Sequence, residues 1–187
     1  LKKGIHFADD PAFEGRKREL VAADYEFALK RLMDPKVSSP NLWLIEGRVV
    51  GVAEMAAAAK KAGHLDYEAR VPGIEVVDRY TLRLRLEKPD YNFLYILAMG
   101  NIGAQAREVV QRYGDDIGAH PVDTGPFRLA EWRRGSRIVL EKNPNFREVY
   151  FDEEPPADDP IAQRLAAEMK GKRLPQVDRV EISGLVE

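Results

Sequence analysis

At 187 residues, 44% of them hydrophobic and 32% charged, the chain has the make-up of an ordinary globular polypeptide with one or two buried cores. Its 29 Lys and Arg against 31 Asp and Glu leave a net charge of -2, which gives no electrostatic drive toward nucleic acid or an anionic membrane. Cysteine is absent, which excludes disulfides, thiolate catalysis and cysteine-ligated metals. The longest apolar run, Val49 to Ala59, is interrupted by Glu54 and falls short of the roughly 20 residues a membrane-spanning helix needs.

Apolar residues at helical spacing from Arg18 to Met33, with Asp24 near the start and Asp34-Pro35 as a stop, predict a first helix. A short helical turn over Asn41 to Ile45 follows Ser39-Pro40. The alanine-rich stretch Val52 to Lys61 predicts a second helix ending at Gly63, since glycine suits the position just past a helix end. After the Val71-Pro72-Gly73 break, strands are expected at Ile74–Val77 and Thr81–Leu86, then short helices at Tyr91–Met99 and Arg107–Tyr113.

The most informative stretch runs from Asp123-Thr124-Gly125-Pro126-Phe127 to Asn143-Pro144-Asn145-Phe146. Its pattern predicts a hairpin over 127–142 with its turn at Arg134-Gly135-Ser136, Phe127, Leu129 and Glu131 sharing one face, and Gly125 at a positive φ. Phe151 to Pro160 is an acidic, proline-containing loop, followed by a helix over Ile161 to Lys170 and a final strand over 177–182.

Three ordered stretches carry a family resemblance. The Thr-Gly-Pro-Phe-x-Leu-x-x-Trp segment, continuing through Gly135 and Ile138-x-Leu140 to Asn143-Pro144-x-Phe146, resembles a signature of the extracellular solute-binding proteins of the oligopeptide/dipeptide/nickel class, family 5. Val21 to Pro35 with Ser38-Ser39-Pro40 is similar to that family's helix and Ser-Pro turn, and Ile74 to Leu86 to its strand pair. The resemblance implies an α+β, periplasmic-binding-protein-like fold of type II. It implies a helix-and-strand subdomain over residues 1–100 and part of the first lobe over 101–187. Leu1-Lys2-Lys3-Gly4 lacks an initiating methionine and the apolar core of a secretory signal, so by the same resemblance the chain is expected to be a middle portion of a longer receptor.

The function so implied is capture of an oligopeptide, dipeptide or other small solute without chemical change. The expected partners are the membrane permease and ATPase subunits of an ABC importer, in the periplasm or anchored outside the membrane, with no cofactor and no nucleic acid. Self-association through open strand edges is a further expectation. In the peptide receptors the residue just after the Ser-Pro turn approaches the cleft, which places Asn41 closest to ligand, with Trp43 beside it. Solvent-exposed turn residues are the competing reading of both. Trp132 is expected to pack against a neighbouring sheet.

Two alternatives come from other classes. Asp123-Thr124-Gly125 is also the catalytic triplet of aspartic peptidases, whose chemistry needs a second carboxylate, and the sequence contains no second triplet. A non-transport interaction module on the same fold is the other. His6, His64 and His120 show no paired spacing, and the run from Asp152 to Asp159 lacks the glycine and terminal glutamate of a calcium loop, so no metal is expected. Gly100-Asn101-Ile102-Gly103 lacks the lysine of a phosphate loop, and Ser136 and Ser183 lack a nearby histidine.

Overall fold

The computed structural model describes residues 1–184, which fall into two compact units. The first comprises Leu1–Lys3 and Glu19–Gly114, and the second comprises Gly4–Arg18 and the chain from Asp115 on. The two units meet in sequence at Gly114, and the N-terminal arm groups with the later residues.

In the first unit, helix α1 spans Ala22–Met33. It starts four residues later than its apolar periodicity suggests. The Asp24 carboxylate accepts the Val21 N–H at 2.8 Å, and the Ala22 N–H donates to the Arg79 carbonyl at 2.9 Å, so the preceding backbone is already committed. Helix α2, Val52–Ala62, begins after Gly51 and ends at Gly63, both in the left-handed region. Strands β1, Ile74–Asp78, and β2, Thr81–Leu84, pair antiparallel with an irregularity between Val76 and Asp78. The strand expected through Leu86 stops at Leu84 because the next residues change partner. The Arg85 N–H donates to Gly73, the Arg85 carbonyl accepts from Val50, and Leu86 bridges Val49. Helices α3, Phe93–Leu97, and α4, Arg107–Tyr113, complete the unit.

Leu29, Leu44, Ile45, Val49, Val52 and Val71 are essentially fully buried and form the centre of the core, each worth about 1.5–3 kcal/mol of burial. Gly73 lies against this core. A Cβ there would sit 2.4 Å from the Val50 carbonyl oxygen and 2.8 Å from Val49 Cγ1, while the Gly73 N–H bonds that same carbonyl at 2.8 Å.

In the second unit, β3, Phe127–Arg133, β4, Arg137–Lys142, helix α5, Pro160–Met169, and β5, Arg179–Ser183, follow in order. The strands make one antiparallel sheet in the order β3-β4-β5. Strict alternation along β3 fails. Leu129 pairs with Leu140 but Glu131 pairs with Val139, so Ala130 is an extra residue and the faces invert across it. One face therefore carries Leu129, Trp132, Ile138, Leu140, Val180 and Ile182, and the other sets Arg128, Glu131, Arg137, Glu141, Arg179 and Glu181 around Val139. Glu131 does not share a face with Leu129. Trp132 is 40% exposed with the Arg134 guanidinium 5.2 Å from its ring centroid, rather than packed under a neighbouring sheet.

The Thr-Gly-Pro turn is locked by Asn143, which is buried. Its amide donates to the Gly125 carbonyl at 2.9 Å, its N–H donates to the Pro126 carbonyl at 2.9 Å, and its side-chain oxygen accepts the Asn145 N–H at 2.9 Å. The Asn145 amide then reaches the Phe7 carbonyl and Asp9, while the Ala8 N–H donates to the Asp123 carbonyl. Gly125 does not have a positive φ. Its missing side chain leaves room for the Asp123 carboxylate, whose Oδ1 would be 3.1 Å from a Cβ and accepts the Gly125 N–H at 2.7 Å. The Phe151 N–H and carbonyl bond Lys172 and Gly171, and the Leu174 N–H donates to Val149, so the acidic loop and α5 leave and return through a narrow stem between β4 and β5.

Two substitutions test these contacts. Gly73→Ala should lower stability by about 1–3 kcal/mol, the usual cost of forcing extra volume into a packed site, whereas Gly100→Ala, with open space at the same position, should not. Asn143→Ala, which orphans the Gly125 carbonyl and the Asn145 N–H, should cost about 2–3 kcal/mol, and Asp123→Asn, which keeps the acceptor, close to nothing. Urea titration of the four variants is the measurement, and equal midpoints within either pair would refute the corresponding assignment.

Candidate functional site

The turn bearing Asn41 is built from a buried carboxylate. Asp34, just past the end of α1, accepts the Lys36 N–H through its side chain at 3.0 Å, and its carbonyl accepts the Val37 N–H at 3.0 Å. Ser38 adopts φ 50, a left-handed conformation steadied by its hydroxyl donating to the Pro35 carbonyl at 2.9 Å. Ser39 Oγ then accepts the Asn41 N–H at 3.2 Å, and the chain enters a single 3-10 turn, Leu42–Leu44. Leu44 is buried, so Trp43 between the two leucines points outward and is 59% exposed.

Behind this turn Asp34 also accepts the Tyr67 hydroxyl at 2.8 Å. Burial first, and the Asp34 hydrogen bond second, push the Tyr67 phenol well above its ordinary value. The Tyr67 ring stands 5.3 Å from that of Phe27, and the Tyr67 carbonyl accepts the buried Lys30 ammonium at 2.9 Å, which Glu26 pairs at 2.9 Å.

Asn41 is not isolated. Its Oδ1 accepts from Asn101 Nδ2 at 2.9 Å, across 60 residues of sequence. Asn101 stands in the 3-10 turn Gly100–Ile102, anchored by buried Ile102. The Trp43 carbonyl accepts Arg48 Nη1 at 2.9 Å, and Arg48 Nε lies 3.6 Å from Asp90, whose side chain accepts the Asn92 N–H ahead of α3. Phe93 pins α3 to the core, leaving Tyr91 94% exposed and Leu94 and Tyr95 75% exposed each. Two side-chain amides joined by one hydrogen bond keep further donor and acceptor capacity for polar groups outside the turn. Asn101, Tyr91, Leu94 and Tyr95 were not singled out from the sequence. The available signal was the Phe93-Leu94-Tyr95-Ile96-Leu97 run, since a five-residue helix cannot bury every face at once.

The remaining candidates stay apart. The Asp123 carboxylate caps its own turn. His6 and His64 each bond a carbonyl two residues away, and His120 meets Asp116 at 3.2 Å. No metal-holding group of three or more His, Asp or Glu occurs among the described residues, and none of the described helices is long and apolar enough to cross a membrane.

The chain matches the bacterial extracellular solute-binding proteins, family 5 Middle, over residues 1–184. It belongs to that family. It is 28% identical over 130 residues to the periplasmic oligopeptide-binding protein OppA of Salmonella typhimurium, covering 68% of this chain and 23% of that protein. It is 37% identical over 68 residues to the glutathione-binding protein GsiB of the same species, covering 36% of this chain and 13% of that one. Among solved structures, Burkholderia pseudomallei OppA superposes with a TM-score of 0.62 at 26% identity, over 78% of this chain and 26% of that one. The pheromone receptor PrgZ superposes with 0.64 at 18% identity, over 100% and 33%, and speaks to the fold alone. The family 5 chain thus has the α+β, type II periplasmic-binding-protein fold, and spans about a quarter of the length of its OppA relatives.

The Tyr67 hydroxyl gives a pH test. A phenol whose folded pKa is raised contributes stability that is fully present below the unfolded value of about 10 and is lost as the pH climbs above it. Wild type should therefore lose more stability than Tyr67→Phe between about pH 9.5 and 11. Parallel alkaline stability curves for the two proteins would show that the hydrogen bond to Asp34 does not hold in solution.

Proposed function

We propose that this family 5 chain is part of a solute-binding receptor that captures small peptides without altering them and presents them to the permease and ATPase subunits of an ABC importer, outside the cytoplasmic membrane. The family match over residues 1–184 carries the receptor reading. The oligopeptide-binding and glutathione-binding relatives favour a peptide-like cargo. The first unit corresponds on this reading to the helix-and-strand subdomain, and the second to part of the first lobe. Closure of a receptor of this class around its solute buries polar ligand groups against fixed partners, and the occupied state is what a permease can recognise.

Within the first unit, Asn41 and Trp43 are the residues that meet the solute. The joined Asn41–Asn101 amides support this, because they keep Asn41 in one rotamer ready for a peptide group. A peptidase is not favoured, since Asp123 uses its carboxylate in the turn. The test is peptide titration of the full-length receptor followed by calorimetry with a mixture of di- to pentapeptides. Trp43→Ala and Asn41→Ala should each weaken binding about tenfold, the equivalent of roughly 1.4 kcal/mol. Unchanged affinity in both variants would remove these residues from the site. Absence of binding by wild type would remove peptides as the cargo.

A further inference from the structure

The hydrogen bond between Asn41 and Asn101 leaves the two side chains with unequal remainders. A side-chain amide brings two N–H donors and an oxygen with two lone pairs. Asn101 Nδ2 donates to Asn41 Oδ1 at 2.9 Å, which leaves Asn41 with both donors and one lone pair, and Asn101 with both lone pairs and one donor. Among the described residues neither side chain makes a further hydrogen bond. Toward any third group, Asn41 is thus the donor of the pair and Asn101 the acceptor.

Both remainders are held in place. The Asn41 backbone is already committed, since its N–H donates to Ser39 Oγ at 3.2 Å and its carbonyl accepts the N–H of buried Leu44 at 3.1 Å. Asn101 sits in a turn closed by the Ile102 N–H on the Met99 carbonyl and the Gly103 N–H on the Gly100 carbonyl, each at 3.1 to 3.2 Å, with Ile102 buried beneath it. Asn101 itself is exposed, and a Cβ on neighbouring Gly100 would meet nothing within 4 Å, so no side chain crowds the approach to the turn.

We infer that Asn101 is a second solute-contacting residue and that, with Asn41, it clamps the main chain of an extended peptide. Asn41 Nδ2 donates to the carbonyl of one solute residue, and Asn101 Oδ1 accepts the N–H of that same residue. In an extended chain these two groups point to one edge, as they do when strands pair. A carboxylate carries no donor and an ammonium no acceptor, so neither chain end satisfies the pair, whereas an internal main-chain residue satisfies both members at once. The inference rests on the proposed capture of peptides, and adds to it which part of the peptide is read.

The experiment is calorimetric titration of the full-length receptor with trialanine and with its two ester analogues, each of which has one peptide N–H replaced by oxygen. A clamp on main-chain groups is indifferent to side chains, so wild type should bind trialanine. One ester analogue should bind wild type about tenfold more weakly than trialanine, the loss expected for one missing hydrogen bond. N101A, with an unchanged far-ultraviolet spectrum, should bind trialanine and that analogue alike. Equal affinity of wild type for all three ligands, or a penalty that survives N101A, overturns the inference. So does a wild type that ignores trialanine yet binds peptides from the di- to pentapeptide mixture, an outcome that leaves peptide capture intact and removes the clamp. Binding of neither removes peptide capture together with the clamp.

Discussion

Asp34 is the constraint on which the first unit turns. A carboxylate that deep in the protein is tolerable only with its lone pairs occupied, and the Tyr67 hydroxyl and the Lys36 backbone N–H supply the donors. The same oxygens that end the helix thereby fix the Tyr67 loop and aim the Ser-Pro turn. The outward placement of Trp43 is a downstream result of core chemistry, since the turn carrying it is anchored by buried Leu44 and Ile45.

The second unit solves a similar problem with an amide. Asn143 supplies both donor and acceptor from one side chain, so it can hold the turn before β3 and the loop after β4 together in a way that neither a carboxylate nor a leucine could. Through Asn145 the bonding continues into the N-terminal arm. The Ala8–Asp123 backbone hydrogen bond and the two bonds of the Asn145 amide therefore tie the arm to this unit.

Local patterning made most elements legible. Helix α2 was readable from its alanines and closing glycine, and α4 from its periodicity and Gly114. What the sequence hid was decided by distant partners. Nothing near Ala130 announces an extra residue, because a bulge exists only relative to the strand opposite. Gly125 reads as a positive-φ glycine in a turn, yet its φ is not positive and the Asp123 carboxylate lies close to where a side chain would begin, and the start of α1 depends on the Arg79 carbonyl. For the candidate site, Asn41 and Trp43 came from family resemblance, while Asn101 could be found only once the fold had brought the two asparagines together.

The stem at Val149–Phe151 and Gly171–Leu174 has a practical meaning for the architecture. Because the backbone leaves and re-enters at nearly the same place, the pairing of β4 with β5 does not depend on what lies between. The sheet thus offers a natural graft point. A domain with closely spaced termini could replace residues 152–170 there without disturbing the strands on either side.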